Sequence, residues 1–331
     1  MSKLHQSQKK SAMSYSKGLH PRNIHNQAYD FESLKKTYPK LAPYVKVNIH
    51  GDDSIEFIDP LAVKALNAAL LQHHYGILNW DIPEGALCPP IPGRVDYIHY
   101  VAKLLESTEP GTMLPSAPSK INLLDIGTGA NGIYSLLACK IYGWHCVASD
   151  INIQSLKNVA DIVKKNSTLK DRIELRVQHD KNHIFKGVIQ AGEYFHISVC
   201  NPPFHASLSE AVKSSQRKIS NLSRNREEPV NEDSNPKFNS RYLLTTSVSQ
   251  NFGGQGAELW CKGGERLFLK KLIRESHVFA TQCRWFTSLI SKINNVQPAK
   301  KLLKKLGATE IREIEMVQGN KITRILAWTF V

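Results

Sequence analysis

The segment Leu123-Leu124-Asp125-Ile126-Gly127-Thr128-Gly129-Ala130-Asn131-Gly132 constrains this chain more than any other. A short apolar run enters a glycine turn, and residues 133–142 continue with apolar side chains at helical spacing. That order predicts a buried strand, a tight turn and the start of a helix. Glycines let the backbone come close to a ligand, and a helix N-terminus offers unpaired N–H groups. Gly127, Gly129 and Gly132 fit the spacing G-x-G-x-x-G. Asp150 follows at the end of the next predicted strand, where a carboxylate can accept ribose hydroxyls. The loop therefore predicts an adenosine-type ligand, and alone it does not separate NAD from S-adenosylmethionine. Two features favour the methyl donor. Asp125 precedes the first glycine by two residues, where it can face the donor's methionine part. The chain also closes with a predicted antiparallel hairpin, less usual in a dinucleotide domain.

The rest of the chain supplies the sheet this loop needs. Strand patterns occur at 121–126, 144–149, 173–177, 194–200 and 284–290, with helical patterns at 133–142, 153–165 and 299–306 and another opening at Gly263-Gly264-Glu265. Residues 311–317 and 323–331 form a closing antiparallel pair around Gly319-Asn320. Seven strands in this order predict an α/β fold with a mostly parallel, doubly wound sheet. Before it, Asp30, Asp59-Pro60 and the stretch 94–105 mark three helices, so residues 23–107 read as a small, mainly helical region. Residues 108–120 have linker composition. Residues 205–255 are polar and charged, too long for an ordinary connection, and read as a flexible insert in the 121–331 domain. Residues 1–22 carry Lys3, Lys9, Lys10, Lys17 and Arg22 and no acidic residue. They read as a basic, disordered arm.

Composition narrows the class. The 331 residues are 41% hydrophobic, enough for a full α/β core. No apolar run approaches the ~20 residues of a membrane helix, and no secretory signal stands at the start, so a cytoplasmic protein is expected. The net charge of +14 favours a polyanionic partner over a small cation. Six cysteines without a C-x-x-C pair read as reduced thiols, and no metal site is predicted. Nothing in the pattern demands more than a monomer.

Asn201-Pro202-Pro203-Phe204 directly follows the strand at 194–200. Ligands of open α/β sheets bind beyond the carboxyl ends of the strands, so this tetrapeptide shares an edge with the glycine loop. An exocyclic amine on a base is a weak nucleophile, because its lone pair is delocalised. The Asn201 side-chain oxygen and the Pro202 carbonyl can each accept one N–H, aiming the lone pair at a methyl donor. Proline stiffens the backbone that carries the carbonyl. Phe204 offers a face for stacking the base, worth about 1–3 kcal/mol, and a paired base must flip out to reach it. Glu258 and Glu265 are further carboxylates nearby, and Glu265 reads as a helix cap.

With these residues in view, the chain resembles the ribosomal RNA large subunit methyltransferase F family, adenine-N6 methyltransferases of 23S ribosomal RNA, and its eukaryotic small nuclear RNA relatives. The resemblance rests on LHPRN (19–23), YDFESLKKTYPKL (29–41), IEFIDPLAVKALNAALL (55–71), PPIPGRVDYIHY (89–100), LLDIGTGANGIYSLL (123–137), CNPPF (200–204), GGQGAELWCKGGE (253–265) and QGNKITRILAWTF (318–330). It implies a Rossmann-like class I methyltransferase that uses S-adenosylmethionine. It further implies Arg94 on the donor carboxylate, Gly127 and Asn131 on its methionine part, Asp150 on its ribose and Gln178 near its adenine. On sequence alone a surface ion pair is the simpler reading of Arg94. The resemblance makes 23–107 an RNA-binding region, with Lys17, His20, Arg22 and Asn23 as candidate contacts. The substrate is then 23S ribosomal RNA or a large-subunit assembly intermediate. Another structured RNA, DNA adenine or a protein glutamine are the alternatives.

Overall fold

The computed structural model describes residues 18–48, 51–108, 121–203, 261–318 and 321–331. Lys17, Phe204, Glu258, most of the expected linker and the insert at 205–255 lie outside them.

Helix starts in the N-terminal region follow their caps. Asp30 accepts from the Ser33 amide and opens α1 (Phe31–Thr37). Asp59 accepts from the Leu61 amide and opens α2 (Pro60–Tyr75), whose first residue is a proline, at a position where no N–H is needed. Gly76, at φ 61°, closes that helix. Helix α3 (Ile91–Thr108) is longer than the periodicity predicted at both ends. Between α1 and α2 lies a hairpin not foreseen from sequence, β1 (Val45–Val47) paired antiparallel with β2 (Asp53–Ile55). Strands of three residues are too short to show an alternating pattern.

Strands β3 (Asn122–Ile126), β4 (His145–Asp150), β5 (Ile173–Val177), β6 (Phe195–Cys200), β7 (Cys283–Ile290), β8 (Glu310–Gln318) and β9 (Lys321–Thr329) form one sheet in the order β5-β4-β3-β6-β7-β9-β8. The first five are parallel, and β9 runs antiparallel to both β7 and β8. This is the mostly parallel seven-stranded sheet expected of an α/β chain. The strand order reverses between β3 and β6, which places a crevice at their carboxyl ends.

Successive side chains of β3 serve opposite faces. Leu123 joins a core with Leu70, Val95, Ile98 and Leu137, contributed by α2, α3 and α4 (Ile133–Tyr142). Leu124 joins a second core with Leu272 of α6 (Gly264–Val278), Leu303 of α7 (Val296–Lys305) and Phe286. Helix α5 (Ile153–Lys164) adds Val159 to the first core. The N-terminal helices thus share a core with the sheet. Among the described residues, no helix is long and apolar enough to cross a membrane.

Residues 19–22, expected in a disordered arm, pack against α3 instead. Leu19 and His20 are buried. The His20 amide donates to Asp96 Oδ1 at 2.9 Å and Asn23 Nδ2 to the same oxygen at 2.6 Å. A buried carboxylate on α3 requires donors, and this segment provides them.

Gly132 starts α4 at φ 61°, and a Cβ there would stand 2.9 Å from Val159 Cγ1. Gly132→Ala is expected to lower stability by roughly 1–3 kcal/mol, from the left-handed backbone and the crowding of α5. Urea unfolding measures this; an unchanged midpoint would mean that the turn relaxes freely.

Candidate active site

The carboxyl ends of β3, β4, β5 and β6 face a cavity of ≈ 650 Å³. Its wall includes Arg94, Gly127, Thr128, Gly129, Asn131, Asp150, Gln178, Asn201 and Pro203. Residues spread over more than one hundred sequence positions therefore converge, and Asn201 and Pro203 stand on the same wall as the glycine loop.

The loop is held by backbone bonds to the strand next to it. The Gly127 and Thr128 amides donate to the Ser149 carbonyl at 2.9 and 3.0 Å. Gly127 sits at φ 70° and Gly129 at φ 64°. A Cβ on Gly127 would meet nothing within 4 Å, so the wall there is bare backbone open to a ligand. Asp150 lies at the end of β4. Its Oδ2 accepts from the Gly129 amide at 2.9 Å and its Oδ1 from the Asn152 amide at 2.8 Å. Burial raises its carboxyl above the usual range, against these bonds. An ionised carboxylate has about four acceptor positions, so two bonds leave capacity for a pair of ribose hydroxyls.

Arg94 is a wall residue rather than an outward ion pair. Its guanidinium donates to the Tyr134 hydroxyl at 2.6 Å and lies 5.4 Å from the ring centroid. Asn131 accepts from the Ile133 amide at 3.1 Å and donates to the Leu87 carbonyl at 3.3 Å. Gln178 lines the cavity while its amide holds the following loop. It accepts from the Asp180 amide at 2.9 Å and donates to the Lys186 carbonyl at 2.9 Å.

Asp125 departs from expectation. It was expected to face a donor's methionine part, yet it is wholly buried and absent from the cavity wall. Its Oδ2 accepts from the Thr128 hydroxyl at 2.8 Å and the Ser135 hydroxyl at 3.0 Å. It therefore fastens the glycine loop to α4 from behind. Glu265 departs as well, since it does not cap its own helix. It accepts from the Ser291 amide at 2.5 Å and the Asn295 side chain at 2.6 Å, tying the start of α6 to the end of β7.

Of the RNA candidates, His20 and Asn23 are interior residues bound to Asp96, as described above. Arg22 pairs bidentately with Glu106 at 2.7 and 2.9 Å but keeps its side chain about half exposed.

Sequence reading missed the residues that shape the wall through others. Tyr134 seats Arg94. Glu275 of α6 accepts three successive amides, from Ile184, Phe185 and Lys186, and so holds the loop beyond Gln178. Tyr97 reaches β6 from α3. No local pattern marks a residue whose partner lies forty or more positions away.

The motif carries an acceptor with nothing to accept. Asn201 Oδ1 is buried and has no hydrogen-bond partner among the described residues. It points this cavity toward a substrate that brings an N–H.

Residues 13–331 match a family described as RNA methyltransferase. The chain belongs to this RNA methyltransferase family. Ribosomal RNA large subunit methyltransferase F of Saccharophagus degradans is 55% identical over 331 residues, covering 99% of each chain. Its counterpart from Shewanella oneidensis is 54% identical over 98% of this chain and 84% of its own. Among solved structures, the hMettl16 catalytic domain in complex with a MAT2A 3'UTR hairpin superposes with a TM-score of 0.75. It shares 28% identity and covers 95% of this chain and 96% of its own. The N-terminal domain of human METTL16 in complex with SAH has a TM-score of 0.70 at 25% identity, covering 95% and 99%.

Burial lifts the carboxyl of Asp125 in this methyltransferase from 3.8 to about 6. Between those values the native state holds more protons than the unfolded chain. The carboxyl's contribution to stability is thus full below about pH 4 and is lost as pH rises through 6. Asp125→Asn does not titrate. The stability of the wild type relative to this variant is expected to fall from pH 4 to pH 6 and then level off. Calorimetric melting across that range measures it, and a constant difference would place the carboxyl near its ordinary value.

Proposed function

We propose that this RNA methyltransferase transfers a methyl group from S-adenosylmethionine to the exocyclic N6 of an adenine in 23S ribosomal RNA. The observation that carries the reading is the unpartnered Asn201 Oδ1 at the end of β6, beside the bare glycine loop. Leaving a buried acceptor unsatisfied costs roughly 1–3 kcal/mol, and an exocyclic amine removes that cost. The relatives' names support a large-subunit RNA. The SAH in the METTL16 structure supports an S-adenosyl donor, and the RNA hairpin in another supports a structured RNA substrate.

The residues present fit such a donor. Arg94 suits its carboxylate, the glycine loop its methionine backbone, Asp150 its ribose and the Gln178 side of the cavity its adenine. When bound, the donor supplies an electrophilic methyl on a positively charged sulfur, which leaves as a neutral thioether. Everything else falls to the chain. Asn201 Oδ1 accepts one N–H of the target amine and the Pro202 carbonyl accepts the other. Held by two acceptors, the nitrogen presents its lone pair to the methyl. Its proton becomes acidic once the N–C bond forms, so water suffices as the base. The protein contributes position and fixed dipoles. Phe204, next in the chain, is proposed to stack on the flipped base. Arg22 and Lys17 are proposed phosphate contacts.

Incubating labelled S-adenosylmethionine with unmodified large-subunit RNA, then analysing the nucleosides, tests the substrate; label is expected in N6-methyladenosine, and label in DNA or protein would redirect the assignment. Asn201→Ala is expected to lower kcat roughly 10²- to 10³-fold, as for loss of one preorganised partner, with donor affinity retained. Full methyl transfer by that variant would remove Asn201 from the chemistry. Asp150→Ala is expected to weaken donor binding by about tenfold or more in titration calorimetry, through loss of charge-assisted bonds. Unchanged affinity would contradict the ribose contact.

A further inference from the structure

We infer that Tyr97 is a positioning residue for methyl transfer, its hydroxyl fixing the end of β6 and with it the aim of Asn201; this rests on the reading of Asn201 given above.

Strands β6 and β7 part company shortly before the motif begins. Pairing between β6 and β7 runs from Phe195↔Cys283 to Ser198↔Phe286. Beyond that, β6 stays with β3 as far as Ile126↔Cys200, and β7 stays with β9 as far as Ile290↔Arg324. Main-chain groups of β6 next to the opening still require partners, because they are buried. Tyr97, itself fully buried on α3, supplies them. Its hydroxyl lies 2.7 Å from Thr287 Oγ1 and accepts from the Cys200 amide at 3.3 Å. Thr287 Oγ1 in turn lies 2.7 Å from the Ser198 carbonyl oxygen.

The proton directions follow from what each group can do. A carbonyl only accepts, so Thr287 gives its one proton to Ser198. Tyr97 then donates to Thr287, a nearer acceptor than the Cys200 carbonyl at 3.5 Å, and accepts from the Cys200 N–H. The chain of bonds leaves the main chain at residue 200, crosses to β7 through two hydroxyls and returns at residue 198. It stands where the strand ladder has stopped, one residue before Asn201. The Tyr97 ring also packs edge-on against Tyr134, with centroids 5.2 Å apart, and Tyr134 seats Arg94. A tilt at Cys200 therefore displaces Asn201 Oδ1 relative to the donor side of the cavity. Displacement on the order of 1 Å is enough to slow a reaction by up to about 10²-fold.

The test uses the full chain. Tyr97→Phe keeps the ring and removes the hydroxyl. Its kcat is expected to fall roughly 10- to 100-fold, while KM for RNA and the calorimetric affinity for S-adenosylmethionine stay within about threefold. Thr287→Val, which breaks the same chain of bonds, is expected to show the same split, and Thr287→Ser, which restores a hydroxyl, to recover most of the loss. An unchanged kcat in Tyr97→Phe, a loss that resides in KM, or equal rates for the two Thr287 variants would each overturn the proposal. If Tyr97→Phe does not fold, the Thr287 pair decides. Asn201→Ala is measured alongside. Full activity there defeats the reading of the site itself. Impaired Asn201→Ala with unimpaired Tyr97 and Thr287 variants defeats the positioning role alone.

Discussion

Two adjacent parallel strands, β3 and β6, mark the reversal of strand order, and the site lies at their carboxyl ends. Helix α4 leaves β3 for the face shared with the N-terminal helices, whereas α6 covers the other face. A crevice at such a reversal of strand order is where open α/β sheets bind ligands. The glycine loop and the Asn-Pro-Pro turn occupy its two sides because each directly follows one of these strands. Their proximity is set by the topology, and the side chains refine it.

The cavity gains its order from groups held behind its surface. Asp125 fixes the loop from within, Tyr134 seats Arg94, and Glu275 secures the loop after β5. Each is bonded to the neighbours it holds, although Asp125 Oδ1 itself has no partner among the described residues, and the wall keeps spare capacity at Asp150 and Asn201. This division suits a reaction in which the protein supplies geometry and dipoles while the donor supplies reactivity. The net charge of +14 matches the RNA substrate of such an enzyme through long-range attraction.

Much of this was legible in sequence wherever a local rule was sufficient. The apolar run before Gly127 marked β3, the spacing over 133–142 marked α4, and Asp59-Pro60 marked the start of α2. The position of Asn201 at the cavity was legible because it directly follows a strand of the sheet. The burial of Asp125, His20 and Asn23 was not legible, for one shared reason. A polar residue near a motif looks like a ligand contact until its burial is known. His20 meets Asp96 across 76 positions and Tyr97 meets Thr287 across 190. Such pairings are decided by packing, and composition or periodicity does not encode them. The β1–β2 hairpin escaped for the opposite reason, being too short to carry a period.

Helix α3 presents three neighbouring residues to three different parties. Arg94 faces the cavity, Asp96 receives the N-terminal segment, and Tyr97 secures the strand that ends in Asn201. Terminal helical regions of enzymes are often treated as exchangeable between scaffolds. Here the natural cut for such an exchange is not the linker-like sequence after α3 but a point ahead of Ile91. A graft made later in the chain would import a foreign helix into the middle of the active site, and a donor region made for a different sheet would have no counterpart for Tyr97.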